Sequence, residues 1–402
     1  MSMKKRVVSI LMTAILAAGL AACGGQSASS SGAAAPAEET ASAVESAAEE
    51  TASAAESAVE SAVESAAESA AEEAASDKEV PETAKVRWNY GTSGNVLVTL
   101  ALEKGYFDEY GISIEPVEAT AVNDAMALLS TGMVDVVSNS GTSNPLQQIS
   151  SGVDMTIFGG HMVTGAMPVV AKKGTEWKDV TSLVGKKFAC NPSYFAYSGA
   201  LMEAGVENPL EAVEWVTYDN YNDALAAVQR GEVDFANLGT GLNQQVKQME
   251  DIEIVSYQSE IMPNYSCCRM ECSTEFLKNN PTTLKLICKA LLRAQAYYEQ
   301  NKEESCELLA KTIGADYDYV AAYMMDEKHY VVNVDPLKNS IIRAWGILDK
   351  IGFLKDKAKE INIEDHINTE IYEKALAEVT EEYPENADFW AKQAAFFEEN
   401  DK

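Results

Sequence analysis

One pattern, written twice, constrains the fold more than any other feature of the 402 residues. Asn123, Asp124, Ala125, Ala127, Gly132, Val134 and Asp135 recur as Asn222, Asp223, Ala224, Ala226, Gly231, Val233 and Asp234, each 99 positions further on. Each copy predicts an amphipathic helix, over 125–129 or 224–228, closed by a glycine free to take the left-handed cap conformation. A short apolar strand follows, over 134–137 or 233–236, and then a polar loop, over 138–144 or 237–243. Helix, glycine and strand alone are common in α/β chains, but the shared Asn-Asp and Val-Asp pairs at one offset mark a duplication. The pattern predicts two similar α/β lobes. Strands that alternate with helices favour parallel sheets, and ligands of such sheets lie beyond the carboxyl ends of the strands. Two facing lobes therefore set their polar loops across one cleft.

The remaining segments fit this plan. Residues 86–90 predict a strand, 91–95 a polar loop, 96–104 a helix closed by Gly105, and 112–117 a second strand. Residues 168–172 and 266–270 are extended and are read as the two connections between lobes. From Pro281 onward the chain is mainly helical and returns to the first lobe.

The N-terminus reads as an export signal. Lys4, Lys5 and Arg6 precede an apolar run over 7–18, too short for a spanning helix. Leu20, Ala21, Ala22, Cys23 and Gly24 resemble the bacterial lipoprotein cleavage box, which implies a lipid on Cys23 and attachment to the outer face of the cell membrane. Next comes an Ala/Ser/Glu-rich segment with too little apolar surface to offset its ordering entropy, read as a disordered tether. The expected organisation is a signal peptide over 1–22, tether over 23–84, first lobe over 85–175, second lobe over 176–265, and a return to the first lobe over 266–402.

Charge and motif content narrow the function. The chain carries a net −31, and its folded part stays acidic without the tether's fourteen acids, which argues against nucleic acid or anionic lipid as partner. Cys190, Cys267, Cys268, Cys272, Cys288 and Cys306 are irregularly spaced and make no disulfide framework. Of these, Cys267, Cys268 and Cys272 cluster, and the expected role is burial rather than metal or redox chemistry. His161, His329 and His366 do not pair at metal-ligand spacing, and the sequence has no nucleotide loop or serine elbow. The expectation is a binding protein, without cofactor, metal or catalysis.

The run Ala101-Leu-Glu-Lys-Gly-Tyr-Phe-Asp-Glu-Tyr-Gly-Ile112 resembles the signature of substrate-binding proteins of the nitrate, sulfonate and taurine importer class, related to the yeast thiamine-pyrimidine synthase. The repeated Gly-x-Val-Asp strands, the lipoprotein box and the segment Phe276-Leu-Lys-Asn-Asn-Pro281 match the same pattern. The resemblance implies a type II periplasmic-binding fold that closes on its ligand by a hinge. It also implies an ABC permease as membrane partner, with the protein a monomer. A ligand-sensing receptor component and a synthase-like enzyme are the alternatives it leaves open, and the cysteine cluster resembles the synthase's cysteine-rich stretch.

By the strand-end rule the first lobe offers Tyr90, Thr92, Ser93, Asn95, Ser138, Asn139, Ser140, Thr142 and His161 as ligand contacts. The second offers Asn191, Ser193, Tyr194, Tyr197, Ser198, Tyr218, Asp219, Asn237 and Thr240. Each Ser or Asn taken singly is also a helix N-cap candidate. No Arg or Lys falls in these loops, so an anion would rely on neutral donors and helix N-termini. Asp219 would pair with a ligand amine such as that of taurine. The expected ligand is a small organic anion such as an alkanesulfonate or taurine, followed by a thiamine-precursor pyrimidine, then nitrate or bicarbonate.

Overall fold

The computed structural model describes residues 79–91, 94–119 and 122–402. The export segment, Cys23, most of the tether, Thr92 and Ser93 lie outside them. In chain order the strands are β1 (Lys85–Asn89), β2 (Ser113–Pro116), β3 (Val136–Ser138), β4 (Met155–Gly165), β5 (Pro168–Lys172), β6 (Lys187–Ala189), β7 (Glu214–Val216), β8 (Phe235–Asn237), β9 (Ile252–Tyr257), β10 (Cys268–Ser273) and β11 (Tyr330–Val332). Six form a sheet in the order β11-β4-β10-β3-β1-β2, and five form a second in the order β7-β6-β8-β5-β9.

The sequence repeat builds the same joint in both sheets. Helix Val122–Ser130 ends before Gly132, at φ 69°, and helix Tyr221–Arg230 before Gly231, at φ 76°. The aspartate that opens the next strand then turns back to its neighbour. Asp135 accepts the Arg87 backbone N–H at 2.8 Å, and Asp234 accepts that of Lys187 at 2.8 Å. Each carboxylate thus fixes where one parallel strand starts against another, β3 on β1 and β8 on β6.

Each sheet also takes one antiparallel strand from the chain just after a crossing between the lobes. In the first sheet β2, β1 and β3 run parallel and β10 runs against β3; in the second β7, β6 and β8 run parallel and β5 runs against β8. Thus β5 comes from the chain leaving the first lobe, and β10 from the chain returning to it. This corrects the sequence reading: 168–172 and 268–270 are sheet strands, not connections, because their alternating backbone N–H and C=O groups need partners once buried. The crossings are the shorter 166–167 and the longer 258–267. Both contain left-handed non-glycine residues, Ala166 at φ 50°, Asn264 at φ 50° and Ser266 at φ 60°.

The tether ends earlier than its composition suggests. Glu82 accepts hydrogen bonds from the Thr282 and Thr283 backbone N–H groups at 3.0 and 2.8 Å, at the start of helix Pro281–Gln300. The Thr83 hydroxyl donates to Asn280 at 2.6 Å. These bonds satisfy helix N–H groups that have no partner within the helix, so residues 82–84 belong to the folded body. Helix Pro281–Gln300 buries Leu284, Ile287, Leu291 and Ala294 against helices Val96–Glu103 and Glu370–Glu382 of the same lobe. The largest core gathers Trp88, Leu97, Phe107 and Phe158, and a smaller one in the second lobe gathers Val170, Leu225, Val228 and Ala236.

Candidate functional site

Two chambers lie between the lobes, an outer one of about 460 Å³ and an inner one of about 220 Å³, sharing Asn139, Met162, Thr240 and Tyr319. Their first-lobe wall follows from how β3 ends. Asn139 turns the chain at φ 66°, a conformation an Asn side chain tolerates. Its amide donates to the Gly94 carbonyl at 2.8 Å, tying the loop after β1 to the loop after β3. The Cys268 thiol meets its oxygen at 3.3 Å. The chain continues through Ser140 and Gly141 into helix Ser143–Ser150, whose first turn lines the outer chamber.

The second lobe supplies Tyr194 at the head of helix Phe195–Glu203, residues 220–222 at the head of helix Tyr221–Arg230, and Gly239 with Thr240 after β8. Three helices of eight, nine and ten residues, the first from the first lobe and the others from the second, therefore begin on the outer chamber. Their first N–H groups and partial positive charge favour an anion. Among the described residues neither chamber is lined by Asp, Glu, Lys or Arg.

Hydrogen bonds join the two walls. The Ser143 hydroxyl donates to the Ser193 carbonyl at 2.6 Å, and Thr240 donates to the Gly165 carbonyl at 2.6 Å. Tyr319, on helix Tyr317–Met324, donates to the Thr240 carbonyl at 3.1 Å, and Asn243 donates to the Ala322 carbonyl at 2.8 Å. Within the second-lobe wall, Tyr194 and Tyr221 meet hydroxyl to hydroxyl at 3.2 Å. Burial holds both phenols above their ordinary range, so they stay protonated and able to donate. Cys267 and Cys268 both line the outer chamber, their sulfurs 3.8 Å apart. The bond from Cys268 lowers the Cys267 thiol against the opposing effect of burial, with help from the Arg269 charge; the Cys268 thiol is raised.

His161 borders the inner chamber with Tyr319, Tyr323 and Tyr330. It is 1% exposed, and neither ring nitrogen has a hydrogen-bond partner among the described residues. Burial and the nearby Arg269 charge bring it down to about 3, so the ring is neutral.

The structure sorts the residues singled out by sequence. Asn139, Ser140, Thr142, Tyr194 and Thr240 line the outer chamber, and His161 the inner. Tyr90 lines a separate hollow of about 430 Å³ beside Trp88 and Val117. Ser138 accepts from Trp88 at 3.1 Å and from Asn95 at 3.3 Å, while Asn95 caps helix Val96–Glu103, so both are spent inside the lobe. Asn191 is exposed and holds the Ser193 N–H at 3.0 Å. Tyr197 donates to Asn237, and Ser198 to the Pro192 carbonyl at 3.4 Å, all within the second lobe. Tyr218 packs on that lobe's smaller core, and Asp219 is exposed and lines neither chamber. Sequence reasoning missed Ser143, Met167, Tyr265 and Tyr319 as lining residues and placed Cys267 and Cys268 only as packing. For Tyr319 no local signal exists, since it arrives from the C-terminal helices.

The NMT1/THI5-like family model matches residues 95–305. No curated protein sequence matches the chain. Among solved structures, the periplasmic aliphatic sulphonate binding protein SsuA from Escherichia coli superposes with a TM-score of 0.60 at 19% identity, over 71% of this chain and 92% of that one. The periplasmic nitrate-binding protein NrtA from Synechocystis PCC 6803 gives 0.61 at 14% identity, over 75% and 90%. The desulfurization enzyme DSZB gives 0.52 at 12% identity, over 74% and 99%. At these identities the superpositions show the fold, two α/β lobes of the periplasmic-binding type, and leave function to the site. With more than half of its length matched by the family model, the chain belongs to the NMT1/THI5-like family.

Proposed function

We propose that the protein is the extracytoplasmic solute-binding component of an ABC importer, and that it captures a small organic anion by closing its two lobes. One observation carries the reading: a cavity bordered by both lobes, free of charged side chains among the described residues, on which three helices begin. Such a wall offers backbone N–H groups and helix dipoles to a sulfonate, while Met162, Met167 and Leu242 offer apolar surface to its carbon chain. Taurine fits less well than a plain alkanesulfonate, because Asp219 lies outside the chambers and, among the described residues, no carboxylate lines them to meet its amine. The likeness to sulphonate- and nitrate-binding proteins supports the same class. The DSZB likeness shows that this fold also hosts an enzyme; here, among the described residues, neither chamber is lined by a carboxylate or a cationic side chain that would work with the neutral His161.

The lipoprotein-like box at Cys23 supports anchoring outside the cell, where a permease would take the ligand over. A pyrimidine ligand is a second reading, favoured by Tyr194, Tyr221, Tyr265 and Tyr319 around the outer chamber. Calorimetry of the mature protein against ethanesulfonate, taurine, nitrate and an aminopyrimidine separates these readings. Ethanesulfonate is expected to bind more tightly than taurine or nitrate. Heat from the pyrimidine alone favours the second reading, and heat from none of them overturns the first.

A further inference from the structure

The inner chamber is more than a short alkanesulfonate needs. An anion held at the helix starts of the outer chamber, with two or three carbons behind it, leaves the space beyond Asn139, Met162, Thr240 and Tyr319 unfilled. That space has a distinct chemistry. Tyr319, Tyr323 and Tyr330 line it, with Tyr323 and Tyr330 5.1 Å apart between ring centroids, together with Leu309 and Ile313. An apolar cavity of about 150 Å³ already accepts a benzene ring, so about 220 Å³ holds one substituted ring.

His161 is the polar group of this chamber that most needs a partner, since Asn139, Thr240 and Tyr319, which also line it, donate to carbonyls of the protein. A buried ring nitrogen without one is a standing cost to the folded protein, and here both nitrogens are in that state. The side chain is 1% exposed and sits next to Met162, which borders both chambers. A neutral imidazole presents one donor and one acceptor. Arg269 stands close by, its guanidinium bonded to the Met162 and Asp335 carbonyls, which makes the chamber unfavourable for a cation.

We propose that the ligand has two ends: an anionic head held in the outer chamber, and a flat ring in the inner chamber whose uncharged hydroxyl or comparable hydrogen-bonding group engages His161. This rests on the anion-binding reading above and narrows it from alkanesulfonates to ring-bearing sulfonates or their analogues. His161 is then a specificity residue that distinguishes a ring with a hydrogen-bonding substituent from the same ring without one. Buried groups of this kind reject the analogue lacking the substituent, because they are left unpaired by it.

The test compares benzenesulfonate with 4-hydroxybenzenesulfonate at neutral pH, by calorimetry on the mature protein. The hydroxylated ligand is expected to bind about tenfold more tightly or better. His161→Phe should bring the affinity ratio of the two ligands to about one, and His161→Gln should restore part of the preference. In the wild-type protein the ring nitrogens of His161, followed by NMR, should shift with the hydroxylated ligand and not with benzenesulfonate, a readout that stands even where a variant fails to fold. Equal binding of both ligands, or a preference that survives His161→Phe, overturns the inference. Binding of ethanesulfonate with neither arenesulfonate also overturns it and leaves the anion site standing. Failure of every sulfonate removes both.

Discussion

Neighbouring polar residues in this protein have opposite fates, and the reason is direction. Ser138 and Ser140 are two positions apart, yet the first is consumed by Trp88 and Asn95 inside the lobe while the second faces the chamber. The left-handed turn at Asn139 between them re-aims the chain, and nothing in the residue types announces it. A loop of Ser, Asn and Thr after a strand was therefore readable as a site region, whereas its members could not be separated into caps and contacts. Charge is more tractable at this scale. Burial opposes ionisation of Glu260, but bonds from Lys328, the Tyr257 N–H, His329 and Ser256 outweigh it and bring its pKa to about 2 from 4.5. A carboxylate whose pKa is depressed on folding stabilises the fold fully above its unfolded value and loses that contribution as pH falls through its folded one. Because its side chain is 37% exposed, solvent screening holds the effect to about 1 kcal/mol or less. Glu260→Gln is expected to unfold at a lower temperature than wild type at neutral pH, with the gap narrowing steadily below about pH 4.5. A gap that is unchanged by acid counts against this clasp.

At the scale of elements, the duplication was legible because its signature is local: a helix, a left-handed glycine, and an aspartate that opens a strand. The sheet to which β5 and β10 belong was not. An apolar run such as Pro168–Lys172 pairs equally well with either sheet as far as its residues show, and only the packing of two lobes decides. The glycines allow a clean measurement. A Cβ placed on Gly132 meets nothing within 4 Å, so the cost of Gly132→Ala is the left-handed backbone alone. That cost is about 1–2 kcal/mol. Gly132→Asn should lose less, since Asn visits this conformation readily. Urea unfolding of the three proteins measures the order expected: glycine, then asparagine, then alanine. Similar midpoints for alanine and glycine would mean that the helix end relaxes to another cap.

For the whole molecule, the question is what holds the lobes together when the ligand is away. Two chain crossings join them, and both contain left-handed non-glycine residues, Ala166 on one and Asn264 and Ser266 on the other. Such residues are costly in isolation and persist where surrounding structure fixes them. The lobes also touch where helix Tyr317–Met324 packs on Leu242–Lys247 and helix Lys338–Lys350 on Phe195–Glu203, and through hydrogen bonds, among them Ser143 to the Ser193 carbonyl and Asn243 to the Ala322 carbonyl. Each such bond is worth about 0.5–1.5 kcal/mol net, so removing two weakens closure by about 1–3 kcal/mol. Moving a population from mostly open to mostly closed requires about 5.5 kcal/mol of preferential binding, so the bonds bias closure without deciding it, and the ligand supplies the remainder. The double variant Ser143→Ala, Asn243→Ala is therefore expected to show a larger radius of gyration than wild type in ligand-free small-angle scattering. Saturating ligand should return it to the wild-type value, at an affinity lower by about tenfold, the factor that corresponds to 1.4 kcal/mol of lost closure. If scattering of the variant matches wild type in both states while affinity still falls, these hydroxyl and amide groups act on the ligand itself, and closure is governed by the crossings and the helix packing between the lobes.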